Sequence, residues 1–67
     1  MLTWDDTIGI VELLKQRHPD VHLEQISLNA IYQWTVELPE FSDDRGLGNE
    51  EILISILREW YEEVNPI

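Results

Sequence analysis

The sequence contains no cysteine, and this absence removes several classes of protein at once. Disulfide bonds, thiolate zinc sites and a cysteine nucleophile are all excluded. No apolar run is long enough to span a membrane, and no charged-then-apolar signal segment opens the chain. These absences are typical of a soluble, cytoplasmic protein.

Basic residues are scarce as well. Four Lys and Arg face 14 Asp and Glu, which gives a formal net charge of −10. A field of this sign repels phosphate backbones and anionic lipids, so we expect no nucleic acid and no membrane among the partners. It attracts basic protein surfaces and hard cations, and self-repulsion favours a monomer. Because a net charge of about 2–8 already serves solubility, the excess indicates a functional charge.

The 67 residues leave room for one domain, residues 1–67, and the 43% of apolar residues suffice for a compact core. Apolar residues at helical spacing predict three helices. The first is expected to begin between Thr3 and Asp6, which form a capping-box pattern, with Asp5 as an alternative cap. It should end by His18, because a residue before proline leaves the helical region.

The second helix is predicted to begin with Asn29 as its N-cap and to stop at Pro39. Residues 26–28, just before it, alternate as in a short strand or an extended connector. The third helix is predicted to begin with Asn49 as its N-cap, to run to about Glu63 and to end at Asn65-Pro66. Its spacing predicts a buried face of Leu53, Ile56, Leu57, Trp60 and Val64.

The segment 39–48 between the last two helices is rich in turn-forming residues. We expect Phe41 and Leu47 to pin this loop to the core. Three short helices around one core, with a loop or small wing, predict a mainly α, winged-helix-like domain of the helix-turn-helix type. Such a shape assigns no function by itself.

Carboxylates gather around this loop and at the neighbouring helix ends. Carboxylate oxygens can hold a hard or borderline cation, and the alternative is a solvated loop with helix-capping acids. The candidate cluster consists of Glu37, Glu40, Asp43, Asp44, Glu50 and Glu51.

A second acidic group, Asp5, Asp6, Glu12 and Asp20, lies on or beside the first helix and can widen an acidic surface for a basic partner. Among the tryptophans, Trp4 near the terminus is expected to be partly exposed and to act as a binding anchor. No Gly-rich phosphate loop, activated nucleophile or oriented base is found, so we do not expect an enzyme.

Taken together, the residues resemble one family over nearly the whole chain. They combine Trp…ProAsp…GlnTrp…Phe-x-AspAsp…AsnGlu-x-IleLeu…Trp in order at matched spacing. This pattern is similar to that of IscX, the small acidic family of bacterial iron–sulfur cluster assembly. The chain departs from the family pattern at Leu23, Tyr32, Arg45 and Ile54.

The resemblance implies a helical, winged-helix-like domain that binds the cysteine desulfurase through an acidic face. It also implies weak binding of Fe2+, as an iron donor or as a regulator of the desulfurase. By this resemblance the iron candidates are Asp43, Asp44, Glu40 and Glu37. The partner-binding candidates are Trp4, Asp5, Asp6, Glu12, Asp20, Glu50 and Glu51.

The main hypothesis is therefore an accessory protein of cluster assembly that docks on a basic patch of the desulfurase. A stand-alone divalent-metal carrier is the first alternative. A winged-helix nucleic-acid binder is the second, and the scarcity of Lys and Arg argues against it.

Overall fold

A computed structural model describes residues 1–65 of the chain. Three α-helices follow one another: α1 (Thr7–Arg17), α2 (Leu28–Val36) and α3 (Glu50–Val64). A single 3-10 turn, Arg45–Leu47, precedes α3. Of the predicted helix end at Asn65-Pro66, Asn65 is the C-cap of α3 and Pro66 lies outside the described residues.

The prediction of a mainly α domain with three helices is confirmed. Within residues 1–65 the structure contains no strand, and its one isolated bridge joins Leu2 to Phe41 in parallel. The winged-helix label is not confirmed, because a wing requires a strand pair and this part of the chain forms none. No helix among these residues has the length and apolar character needed to cross a bilayer.

The start of α1 differs from the prediction. Asp6 occupies the N-cap position, but its side chain makes no capping hydrogen bond, and Thr3 lies outside the helix. The predicted capping box is therefore not formed, because residues 3–6 form a turn in which the amide of Asp6 donates to the backbone carbonyl of Thr3 at 3.0 Å and not to its side chain. The predicted end is confirmed, since α1 stops at Arg17 with His18 as its C-cap.

The N-cap of α2 is Ser27, so the prediction of Asn29 is wrong by two residues. Ser27 Oγ accepts from the amide of Ala30 at 3.1 Å, which satisfies an amide that the helix leaves unpaired. Residues 26 and 27 form an extended connector and not a strand. For α3 the predicted cap is confirmed: Asn49 Oδ1 accepts from the amide of Ile52 at 3.0 Å.

The core lies where α1 and α2 pack against α3. The predicted face of α3 is buried at Leu53, Ile56 and Trp60, and Leu57 is half-buried. Val64 is 47% exposed, contrary to the prediction, because this last residue of α3 borders an open depression that it shares with Lys15 and His18 at the end of α1. The remaining buried apolar residues are Trp4, Ile10, Val11, Leu14, Leu23, Ile31 and Leu38.

Two contacts show that α1 and α3 run in the same direction. At their N-terminal ends Gly48 lies against the ring of Trp4. At their C-terminal ends Lys15 Nζ lies 3.0 Å from Glu63 Oε1, and this hydrogen bond raises the pKa of Lys15 and lowers the pKa of Glu63. Residues just before the two helices therefore share one end of the molecule.

The contact between Gly48 and Trp4 predicts that a methyl side chain at position 48 destabilises the fold. A β-carbon on Gly48 would lie 2.5 Å from Cζ2 of Trp4, whereas one on Gly46 would meet Oδ1 of Asp44 at 3.4 Å. Because the ring of Trp4 is buried and has nowhere to move, we expect Gly48→Ala to lower the free energy of unfolding by about 1–3 kcal/mol. The matched control Gly46→Ala should stay within about 1 kcal/mol. Urea denaturation followed by tryptophan fluorescence measures both, and equal stabilities would contradict the packing described.

Candidate functional site

Trp4 joins the N-terminal segment to the loop before α3. Its backbone amide donates to Oδ2 of Asp43 at 3.0 Å, and its indole Nε1 donates to the backbone carbonyl of Asp44 at 2.8 Å. Its ring packs edge-on against Phe41, with ring centroids 4.7 Å apart, and is stacked with Tyr32 at 5.9 Å. We call these contacts of Trp4 with Asp43 and Asp44 the Trp4 latch.

The latch buries Trp4, which is 3% exposed. The prediction that Trp4 is the partly exposed tryptophan is therefore wrong, because both hydrogen bonds and the aromatic neighbours turn its ring inward. The half-buried tryptophan is Trp34, whose ring is stacked on that of His18 with centroids 4.0 Å apart. The sequence did not indicate this exposure, because Trp34 follows the buried Ile31 by three residues, a spacing typical of one buried helix face.

Asp43 and Asp44 also organise the loop itself. Oδ1 of Asp43 accepts from the amide of Asp44 at 2.7 Å, so both oxygens of Asp43 are bonded to backbone amides. Oδ1 of Asp44 accepts from the amide of Gly46 at 2.9 Å and caps the 3-10 turn. The two best iron candidates in the sequence thus hold the backbone together.

The other two iron candidates lie apart from this arrangement. Both oxygens of Glu40 accept from Nη2 of Arg17, at 3.2 and 3.0 Å, so its charge is largely compensated. Glu37 is exposed at the C-cap of α2. Over residues 1–65 no three His, Asp or Glu side chains are placed to hold a metal ion. The residues present do not fit a preformed Fe2+ site.

The partner-binding candidates divide into two groups. Asp5 follows Trp4 and Glu50 follows the Gly48-Asn49 pair, so the contact between Trp4 and Gly48 brings the two acidic pairs to one end of the molecule. All four side chains are exposed, and none has an ion-pair or hydrogen-bonding side-chain partner within residues 1–65. We call this group the acidic end: Asp5, Asp6, Glu50 and Glu51.

Glu12 and Asp20 are exposed elsewhere. Glu12 lies 3.6 Å from Lys15 on the outer face of α1. Asp20 follows the C-terminal end of α1, where it lines a shallow depression of about 340 Å³ beside Trp34. These two acids add to the overall negative field but do not join the acidic end.

The loop places one apolar residue differently from the prediction. Phe41 is half-buried against Trp4, as expected of a residue that pins the loop to the core. Leu47 is 55% exposed, so the prediction that it pins the loop is wrong. The Trp4 latch already fixes this segment, and Leu47 points away from the core at the level of the acidic end.

Comparison with known proteins shows the family of the chain. Residues 2–65 match the model of a family described as iron-sulphur cluster assembly. The chain belongs to that family. It is also 37% identical over 62 residues to an uncharacterized protein of Pseudomonas aeruginosa, a match that covers 92% of this chain and 94% of that protein. The resemblance to the IscX family is confirmed.

The two hydrogen bonds that Asp43 accepts predict that this acid stabilises the fold of the protein. Asp43→Ala leaves the amides of Trp4 and Asp44 without their acceptor, so we expect a loss of about 1.5–3 kcal/mol in the free energy of unfolding. Glu37→Ala removes the same charge from an exposed position and should cost about 0.5 kcal/mol or less. Urea denaturation of both variants measures their free energies of unfolding. Similar stabilities would mean that Asp43 does not hold the loop.

Proposed function

We propose that this protein is an accessory factor of iron–sulphur cluster assembly that binds the cysteine desulfurase through its acidic end. Membership of the family supports the role in assembly. The observation that carries the choice of surface is the group of exposed acids with no charge partner among residues 1–65. Carboxylates without an internal partner are available to pair with Lys and Arg of another protein.

The distribution of ion pairs supports this choice of surface. Lys15 and Arg17 are paired with Glu63 and Glu40, which compensates the charge of those two acids inside the chain. Within residues 1–65, Arg45 is the basic residue nearest in the chain to Glu50 and Glu51, and no ion pair joins it to them. The net charge of −10 then steers a basic surface towards the protein, and the uncompensated end fixes the orientation of the encounter.

The proposal gives Trp4 a supporting role. Because Trp4 is buried, it holds the loop and α3 in place and leaves contact with the partner to the acids around it. Glu12 and Asp20 contribute at longer range to the field. We place this activity in the cytoplasm and assign the protein a binding function without a catalytic step.

Weak binding of Fe2+ is part of the proposal only as a diffuse attraction. Since Asp43 and Asp44 are bonded to backbone amides, iron would associate with exposed carboxylates in a partly hydrated form. Anaerobic calorimetric titration with Fe2+ should show weak binding that salt abolishes and that Asp44→Asn leaves nearly unchanged. A stoichiometric site that Asp44→Asn removes would contradict this view and favour a dedicated metal carrier.

The desulfurase complex should weaken with salt, because screening shortens the Debye length from about 10 Å at 0.1 M to about 3 Å at 1 M. The double variant Glu50→Gln/Glu51→Gln should bind roughly tenfold more weakly at low salt. The control Glu24→Gln/Glu62→Gln removes the same charge from exposed positions near the opposite end and should lose roughly threefold or less. Titration of each variant against the desulfurase from the same source measures these affinities.

Two results would count against the proposed interface. Equal losses in the two double variants would mean that only net charge matters and that the acidic end is not the docking surface. Absence of binding at low salt would remove the desulfurase as a partner altogether.

A further inference from the structure

Leu47 is exposed on a turn that is held in place from several sides. Its amide donates to the carbonyl of Asp44 at 3.1 Å, and its own carbonyl accepts from the amide of Asn49 at 2.9 Å. The next residue, Gly48, lies so close to the ring of Trp4 that no β-carbon fits between them. Hydrogen bonds on both sides of Leu47 therefore hold its backbone in the turn, while 55% of the residue is open to solvent.

Other apolar residues are exposed, but their surroundings differ. Met1 is the first residue, and Val64 is the last residue of α3. Ile8 lies in the first turn of α1, and Ile54 lies one turn after Glu50 on α3. Single exposed apolar residues need no functional explanation. Leu47 differs from Ile8 and Ile54 because it lies on a turn and not on an α-helix, three residues before the exposed Glu50 of the acidic end.

We propose that Leu47 is the apolar anchor of the acidic end and inserts into a small apolar pocket rimmed by Lys and Arg on the partner. This inference rests on the proposed function and names the residue that holds the complex together. An apolar side chain surrounded by charges that meet opposite charges has the arrangement of an interface hot spot and its rim. Because the turn is already ordered, binding costs little further conformational entropy.

The anchor and the acids should affect different rate constants. Exposed charges act at a distance, so they set the association rate and its salt dependence. Leu47 acts only in contact, so it sets the dissociation rate. A purely electrostatic interface would have no such division.

Binding kinetics of the full chain on immobilised cysteine desulfurase test the division. Leu47→Ala should raise the dissociation rate by roughly 5- to 30-fold, with the association rate, the salt dependence and the thermal midpoint unchanged. The control Val64→Ala truncates a similarly exposed residue at the other end of α3 and should change the dissociation rate by roughly twofold or less.

Leu47→Glu provides the sharper test. It adds a negative charge to the acidic end, so electrostatics alone predicts faster association and tighter binding. The anchor predicts weaker binding, because the apolar contact is replaced by a carboxylate that must be desolvated. Tighter binding of Leu47→Glu, or a parental dissociation rate for Leu47→Ala, overturns the anchor while the desulfurase proposal stands. If the parent chain itself does not bind at low salt, both proposals fail.

Discussion

The two hydrogen bonds that Trp4 donates, to the carboxylate of Asp43 and to the carbonyl of Asp44, join parts of the chain about 40 residues apart. They seat the indole ring over Gly48 and thereby set where α3 begins relative to α1. The positions of the loop and of the first turn of α3 depend on these contacts of Trp4. Without them the N-terminal segment and the loop would be tied together only by the short backbone pairing around Leu2.

The acids within residues 1–65 differ in what their oxygens bind. Asp43 and Asp44 accept hydrogen bonds from backbone amides. Glu40 forms an ion pair with Arg17, and Glu63 forms one with Lys15. The acids at the N-terminal ends of α1 and α3 are left uncompensated within residues 1–65, and at Glu50 and Glu51 the helix dipole of α3 favours their charge. A protein that binds by charge needs carboxylates of both kinds, because an acid that stabilises the fold is not available to pair with a partner.

Much of the fold was predictable because helical spacing and caps are local signals. The end of α1, the Asn49 cap and the buried face around Trp60 follow from neighbouring residues alone. The site was less predictable because it depends on contacts between distant segments. Nothing near Trp4 indicates that Asp43 accepts its amide. Trp4 was therefore expected to be partly exposed and Leu47 to pin the loop to the core, whereas Trp4 is buried and Leu47 is exposed. The second helix begins two residues before its predicted start, because Ser27 serves as an N-cap as well as Asn29 would.

We propose that the end held by the Trp4 latch is the surface that contacts the desulfurase. The most direct measurement is an amide NMR titration of the isotope-labelled chain with unlabelled cysteine desulfurase at low salt. We expect shift changes and line broadening at residues 5–6 and 44–51, and none at residues 18–24. Changes centred on His18 and Trp34, at the opposite end of α1, would contradict it.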